Sequence, residues 1–265
     1  MNASNNSPLD IFAERLALRN FPRGRIDPEA IAIKQGIDFT YTSLPEAVDG
    51  FVTDESGRLA ITMNERRAPR GSPRSRFTLA HEIGHCFQSE PVGSARIPGD
   101  GSPRTTGERA SDRFAAHLLM PEPTFRDLAA SLPAFDLRGV TMVAAHLGTS
   151  VTATAYRAME LDLFPAPAAV LRWNLLGERH GRRLSSHTRM RGRDYIRLAD
   201  IPAPGTVTAR VLDQFRAGLH RGAAHVMDWF TDLDGYGIGH QIELSEEVMS
   251  LGQYGWLTLI RPFRP

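Results

Sequence analysis

The sequence predicts an α+β fold in three parts: a mixed N-terminal domain, a small helical region and a β-rich C-terminal domain. Strand-like segments precede two strong helix patterns in the first part, which we place at residues 1–122. Helical periodicity then continues through residues 123–164. The run Phe164-Pro165-Ala166-Pro167 breaks that periodicity, and strand-like segments dominate residues 165–265.

The composition is that of an ordinary globular protein, and it excludes several classes of function. Of the 265 residues, 42% are hydrophobic and 23% are charged, and the formal net charge is +1. This balance gives no electrostatic case for binding nucleic acid or an anionic membrane. A single cysteine excludes a disulfide framework and a multi-cysteine zinc site. The polar N-terminus lacks an apolar signal core, and no apolar run reaches the roughly 18 residues of a membrane helix, so we expect a cytoplasmic protein.

The N-terminal domain begins with two helices and continues with strands. Apolar spacing predicts a helix over Leu9–Leu18, and Asp27 followed by Pro28 is typical of the start of a second, short helix. Alternating or continuous apolar residues then predict strands at Ile37–Tyr41, Gly50–Thr53 and Leu59–Met63. The last two strands flank a polar turn, so we expect them to form a hairpin.

Two strong helix patterns follow, at Ser75–Gln88 and Thr106–Leu119. Further along, Val143–Met159 reads as two short amphipathic helices around Gly148, which resemble half of a helix-turn-helix. We favour a packing pair over a DNA-contacting pair, because Arg157 is the only cation between Val151 and Glu160.

The C-terminal domain carries no chemical motif that the sequence reveals. Its best strand candidates are Ala168–Trp173, Tyr195–Leu198, Thr206–Leu212 and Trp256–Ile260.

The first of the two strong helices contains the motif His81-Glu82-Ile83-Gly84-His85. Histidines four residues apart lie on the same side of a helix, one turn apart, as two ligands of one tetrahedral ion require. Glu82 lies about 100° round the helix from His81, so it can reach a metal-bound water without being a ligand. This pattern predicts a zinc site with Glu82 as the general base, and Mn²⁺ is an alternative ion in cells.

The third ligand must come from elsewhere, because catalytic zinc keeps three protein ligands and one water. Glu108 is the best candidate, since it starts the second strong helix and lies on the same face as Asp112. We predict that Glu108 binds the metal and that Asp112 accepts a hydrogen bond from the outer nitrogen of a ligating histidine. The competing interpretation is that both carboxylates are ordinary surface charges of the helix.

The donor that stabilises an oxyanion is not identified by the sequence. Tyr41 and His146 are the leading candidates, and Arg66 and Arg67 are conceivable. His117 is a poorer one, because it lies about 180° from Glu108 on the helix and is better explained by packing.

These residues resemble the ImmA/IrrE metallopeptidases. The resemblance rests on Arg76–His85, on Glu108 and Asp112, and on the runs Phe114-Ala115-Ala116 and Leu118-Leu119-Met120-Pro121. It implies a zincin-like fold, His81, His85 and Glu108 as ligands, and Glu82 as catalytic base. It also implies a protein substrate, a helix-turn-helix repressor whose cleavage derepresses stress or mobile-element genes. Position 112 is commonly Asn in the family, and either side chain can accept a bond from His81.

Zincins bind substrate in extended form along an edge strand, and the candidate here is the strand containing Ile61, Met63 and Asn64. A plain core strand is the alternative interpretation.

The sequence leaves three function classes open, of which the third is a different zinc hydrolase, such as an amidase. The first is a zinc endopeptidase acting on a protein partner. The second is a regulatory binding protein that docks a repressor or DNA and has weak or vestigial hydrolytic activity. An intact Glu82 favours the first, because a binding protein does not need the base. The sequence does not predict the oligomeric state, the activating signal or the role of the C-terminal domain, for which a sensor is only an analogy.

Overall fold

The computed structural model describes residues 6–88, 105–165, 168–173, 183–189, 197–198, 201–231 and 243–262. The chain divides into two compact units. The first comprises Met1–Ser131 and Met142–Thr154, and the second comprises Leu132–Thr141 and Ala155–Pro265. The predicted α+β class is confirmed, and strands dominate the described C-terminal residues as expected. The domain limits after residues 122 and 164 stay a prediction.

The first unit begins with helices and strands close to those predicted. Its elements are α1 (Pro8–Asn20), α2 (Pro28–Lys34), β1 (Asp38–Thr42), β2 (Gly50–Glu55), β3 (Arg58–Asn64), α3 (Pro73–Cys86), α4 (Thr106–Leu119) and α5 (Glu122–Ala130). Local signals account for most of the starts. Asp27, Ser72 and Thr105 each cap a helix by accepting a hydrogen bond from a backbone N–H in its first turn.

The three strands form one sheet with β3 in the middle. β1 pairs with β3 in parallel, and β2 pairs with β3 in an antiparallel hairpin, so the order is β1-β3-β2. The prediction that Ile61, Met63 and Asn64 present a substrate-binding edge is therefore wrong, because both sides of β3 are already hydrogen-bonded. The hairpin could be predicted from its turn, whereas the parallel pairing with β1 joins residues more than twenty positions apart.

The helical middle contains α6 (Leu137–Leu147) and α7 (Val151–Glu160), and the boundary between the two units falls within both helices. Gly148 forms the turn between them with φ +68°, a left-handed conformation that glycine adopts without strain.

The second unit contains a five-stranded antiparallel sheet. Its remaining elements are β4 (Ala168–Trp173), β5 (Arg183–Arg189), β6 (Arg197–Leu198), α8 (Val207–Asp213), β7 (Leu219–His225), α9 (Val226–Trp229), β8 (Phe230–Thr231), β9 (Glu243–Ser250) and β10 (Trp256–Pro262). The sheet order is β5-β4-β10-β9-β7, and β6 pairs separately with β8. Trp173, Trp229 and Trp256 are buried in its core.

The strand predicted at Thr206–Leu212 is wrong, because the segment forms α8. Thr206 caps this helix by accepting from Ala209 N, and the buried carboxylate of Glu246 accepts hydrogen bonds from Val207 N and Thr208 N. These bonds satisfy the first N–H groups of the helix, which outweighs the strand preference of its β-branched residues.

Within the described part of the chain, no helix combines the length and apolar character that crossing a membrane requires.

Candidate metal centre

The motif helix α3 packs against α4, and this packing brings the two halves of the site together. Leu79 and Ile83 are fully buried on the back of α3. Gly84 meets Phe114 of α4 so closely that a Cβ added at Gly84 would lie 3.1 Å from Phe114 Cδ1. The space beside Gly84 is therefore filled by the neighbouring helix.

His81, His85 and Glu108 converge on one point. The Nε2 atoms of the two histidines are 3.0 Å apart. Glu108 Oε2 lies 3.6 Å from His81 Nε2, and Glu108 Oε1 lies 3.4 Å from His85 Nε2. Among the described residues, this is the one group of three side chains with the chemistry and spacing to hold a metal ion.

These separations match what a tetrahedral ion needs. With bonds of ~2.1 Å, two ligand atoms of a tetrahedral ion stand about 3.4 Å apart. The observed distances of 3.0, 3.4 and 3.6 Å lie around that value, and the last two are measured to the two different oxygens of Glu108. Two imidazoles and one carboxylate are also a donor set that zinc accepts in catalytic sites. The residues present therefore fit the predicted ion.

Asp112 supports His81 from behind. Its Oδ1 lies 3.0 Å from His81 Nδ1, so the ring can donate to Asp112 while Nε2 faces the other ligands. Burial lowers the pKa of His81, but the hydrogen bond to Asp112 and the charges of Glu82, Asp112 and Glu108 outweigh it and raise the pKa. Asp112 thus increases the electron density available at Nε2.

Glu82 is buried at 8% exposure and lies outside the ligand group. Burial raises the pKa of Glu82 to about 7, the charges of Glu108 and Asp49 add to this effect, and His81 opposes it. A nearby cation would favour the ionised form of the carboxylate. The arrangement provides a proton acceptor beside a metal-binding triangle.

Asp49 is the residue that sequence reasoning missed. It immediately precedes β2, and its carboxylate is held by Arg67 at 2.7 Å and by Arg74 at 2.7 Å. Arg67, considered as an oxyanion donor, is therefore engaged with Asp49. Nothing in the sequence near Asp49 resembles a motif, and its link to Glu82 is electrostatic, because its charge helps to raise the pKa of that carboxyl.

The other predicted site residues lie away from the triangle or serve the fold. Ile61 and Met63 are core residues, and the buried Asn64 amide donates to three carbonyls of the segment between β1 and β2. The Tyr41 hydroxyl donates to Glu29 of α2. His146 is exposed in the last turn of α6.

His117 is buried and pairs with Glu14 of α1 at 2.9 Å, in agreement with a packing role.

Comparison with known proteins gives a family model and solved structures of similar fold. The family model Peptidase M78, described as the IrrE N-terminal-like domain, matches residues 32–159. No curated protein sequence matches the chain. A solved structure of a Mycobacterium tuberculosis transcriptional regulator aligns with a TM-score of 0.61 at 17% identity, over 98% of this chain and 78% of that one. At this identity, the likeness shows a shared fold alone.

Proposed function

We propose that this chain, whose residues 32–159 match the IrrE N-terminal-like family Peptidase M78, is a zinc-dependent endopeptidase with a zincin-like catalytic domain. The observation that carries this proposal is the triangle of His81, His85 and Glu108, with Glu82 buried beside it. A binding protein would not need a buried carboxylate next to a metal-binding triangle, because burial of an unpaired carboxylate is costly.

His81, His85 and Glu108 would hold a zinc ion, which would act as a Lewis acid on a scissile carbonyl and would make a water molecule more acidic. Glu82 accepts the proton of the attacking water on its carboxylate and later delivers a proton to the leaving amine. Asp112 holds the His81 ring in the tautomer and orientation that direct Nε2 toward the ion. No residue is assigned as the oxyanion donor, because the Tyr41 hydroxyl donates to Glu29 and His146 is exposed to solvent in α6.

We place the extended substrate along β2 rather than β3. Within the described residues, β2 is bonded on one side only, and it lies against α3. A peptide can add to such an edge through main-chain hydrogen bonds, while pockets read its side chains. Asp49, which directly precedes β2, would then lie close to the substrate.

We propose a helix-turn-helix repressor as the substrate, in the cytoplasm, with derepression of stress or mobile-element genes as the outcome. The family resemblance supports this proposal, and the fold relative is itself described as a transcriptional regulator.

The test measures bound zinc and cleavage of a co-encoded helix-turn-helix protein for the wild type and for Glu82→Gln. We expect Glu82→Gln to keep its zinc and to lose cleavage by about 10²–10⁴-fold, the usual contribution of a general base. Glu65→Gln, which changes an exposed carboxylate directly after β3, is the matched control and should cut normally. Equal cleavage by Glu82→Gln and wild type would disprove the base assignment.

A second variant tests the ligand set. Glu108→Ala should lose most of its zinc, because two imidazoles alone hold the ion weakly. Unchanged zinc content in this variant would mean that the third ligand is misassigned. Zinc-loaded wild type that binds the repressor and never cuts it would instead favour the regulatory binding protein.

A further inference from the structure

A cleft of about 390 Å³ lies at the start of α3, apart from the metal-binding triangle, and three arginines contribute to its lining. Arg25, Arg70 and Arg76 line it together with Asp27, Glu29 and Tyr41. Clefts that bind small molecules typically start at about 300 Å³, so this one can hold a small organic compound.

Arg76 is the unusual member of this group, because its charge is buried without an acidic partner. The residue is 8% exposed, and its guanidinium donates to Gly148 O at 3.0 Å, to Leu147 O at 3.2 Å and to Ile26 O. In the part of the chain that the structure describes, no carboxylate forms an ion pair with it. Backbone carbonyls satisfy the donors but carry no formal charge, and the charges of Asp27 and Glu29 only partly offset the effect of burial on Arg76.

Arg25 adds to this positive charge. Its guanidinium lies on the face of Gly148, where a Cβ would stand 2.2 Å from Arg25 Nε. The same glycine therefore accepts from Arg76 and provides the flat surface on which Arg25 rests. Burial lowers the pKa of Arg76 to about 10, and repulsion from Arg25 adds to the effect. A purely structural role for Arg76 would not require a second cation beside it.

The carboxylates of the cleft are already occupied. Glu29 accepts from Arg70 at 2.6 Å and from the Tyr41 hydroxyl at 3.0 Å. Asp27 caps α2 by accepting from Glu29 N at 3.0 Å. The cations outnumber the carboxylates by three to two, and Arg70 is neutralised by Glu29.

We propose that this cleft binds a small molecule through a phosphate group held between the guanidinium groups of Arg25 and Arg76. A phosphate dianion matches two guanidiniums. Arg25 can offer paired N–H donors to its oxygens, whereas Arg76 uses Nε and Nη2 on backbone carbonyls and offers the N–H groups of Nη1. The remaining volume, bounded by Tyr41 and Arg70, accommodates the organic part that carries the phosphate. Because Arg76 belongs to the first turn of α3, the ligand would stabilise the beginning of the helix that carries His81 and His85.

The experiment titrates inorganic phosphate into the zinc-loaded protein by calorimetry, with acetate at equal ionic strength as the competing anion. The variants are Arg25→Gln, which removes an exposed charge without disturbing the core, and Arg23→Gln as the matched control from outside the cleft. We expect phosphate to bind the wild type and Arg23→Gln equally. Arg25→Gln should bind at least about tenfold more weakly, as loss of a charge-assisted contact predicts. Circular dichroism establishes that the variants are folded.

Three outcomes would overturn the proposal. Equal phosphate affinity in Arg25→Gln and wild type would place the ion elsewhere, and loss of phosphate binding on zinc removal would place it on the metal. An acidic peptide that binds in an Arg25-dependent manner, where phosphate does not, would identify a protein-docking surface instead. None of these results depends on hydrolytic activity, so they are independent of the proposed function.

Discussion

Replacing Gly84 with alanine tests whether the contact between α3 and α4 sets the geometry of the metal centre. The added Cβ would lie 3.1 Å from Phe114 Cδ1 and 3.2 Å from Phe114 Cβ and Cγ. Phe114 is fully buried, and its ring also packs near those of Phe12 and Phe87. The ring therefore has little room to move, and the two helices must separate by a few tenths of an ångström.

Two opposing effects decide the stability of Gly84→Ala. Alanine is favoured over glycine in a helix interior by about 1 kcal/mol. Overpacking a filled core typically costs about 1–3 kcal/mol. We therefore expect a free energy of unfolding that is lower by about 0–2 kcal/mol. Because α3 carries the histidines and α4 carries Glu108, separation of the helices should also weaken zinc binding by about tenfold, or 1.4 kcal/mol.

Urea denaturation of the metal-free protein measures the free energy of unfolding, and competition with a chromophoric chelator measures the zinc affinity. A double-mutant cycle with Phe114→Ala identifies the cause, because Gly84→Ala should cost less once the ring is gone. If Gly84→Ala were more stable by about 1 kcal/mol and bound zinc as tightly as the wild type, the packing of Gly84 against Phe114 would have room for a methyl group. The claim that this contact sets the geometry of the metal centre would then be refuted.

Three further predictions concern residues around the site. Asp112→Ala should weaken zinc binding by about 10–100-fold in the same competition assay, as loss of a carboxylate behind a ligating histidine usually does; an unchanged affinity would contradict the role given to it. Burial raises the pKa of Asp10, but its bonds to Arg113 and Ser7 outweigh burial and lower the pKa below the usual value of 3.8. The stability that Asp10 contributes is then present above about pH 4 and is lost as the pH falls through the lowered folded-state pKa. Asp10→Asn should accordingly reduce the free energy of unfolding by about 2 kcal/mol at pH 7, and the gap should close below pH 4 in urea titrations. Burial raises the pKa of the Cys86 thiol to about 12, so iodoacetamide at pH 8 should modify the folded protein at least about a hundredfold more slowly than the urea-unfolded chain. Similar rates would mean that this thiol is open to solvent.

The parts of the site that the sequence predicts are those fixed by local geometry. His81 and His85 share a face because four residues are about one helical turn, whatever the rest of the fold does. Glu108 and Asp112 follow the same rule on α4, and the caps at Ser72 and Thr105 start both helices near the expected residues. Helical spacing alone therefore predicts that each of these two pairs of side chains shares one face of its helix. The packing of α3 on α4 is needed only to bring the two pairs together.

The predictions that fail are those that depend on distant partners. The segment Leu59–Met63 has the pattern of a strand. Whether that strand lies at the edge of the sheet depends on β1, which precedes β2 in the chain and pairs with β3. Thr206–Leu212 has the residues of a strand, but Glu246 supplies acceptors to its first N–H groups and stabilises a helix. In both cases, the deciding hydrogen bonds come from residues at least twenty positions away.

The five-residue motif therefore explains the choice of ligands but not their placement. The backbone of α3 is positioned by three contacts outside the motif's chemistry: the cap at Ser72, the bonds from Arg76 to the turn at Gly148, and the close approach of Gly84 to Phe114. Each contact fixes a different part of the helix, its start, its first turn and its side toward α4. A His-Glu-x-x-His segment without them would present the same donors on a helix free to shift, and ligand separations near 3.4 Å would not persist. Loss of zinc should consequently follow from changes at these supporting contacts even when every ligand is intact.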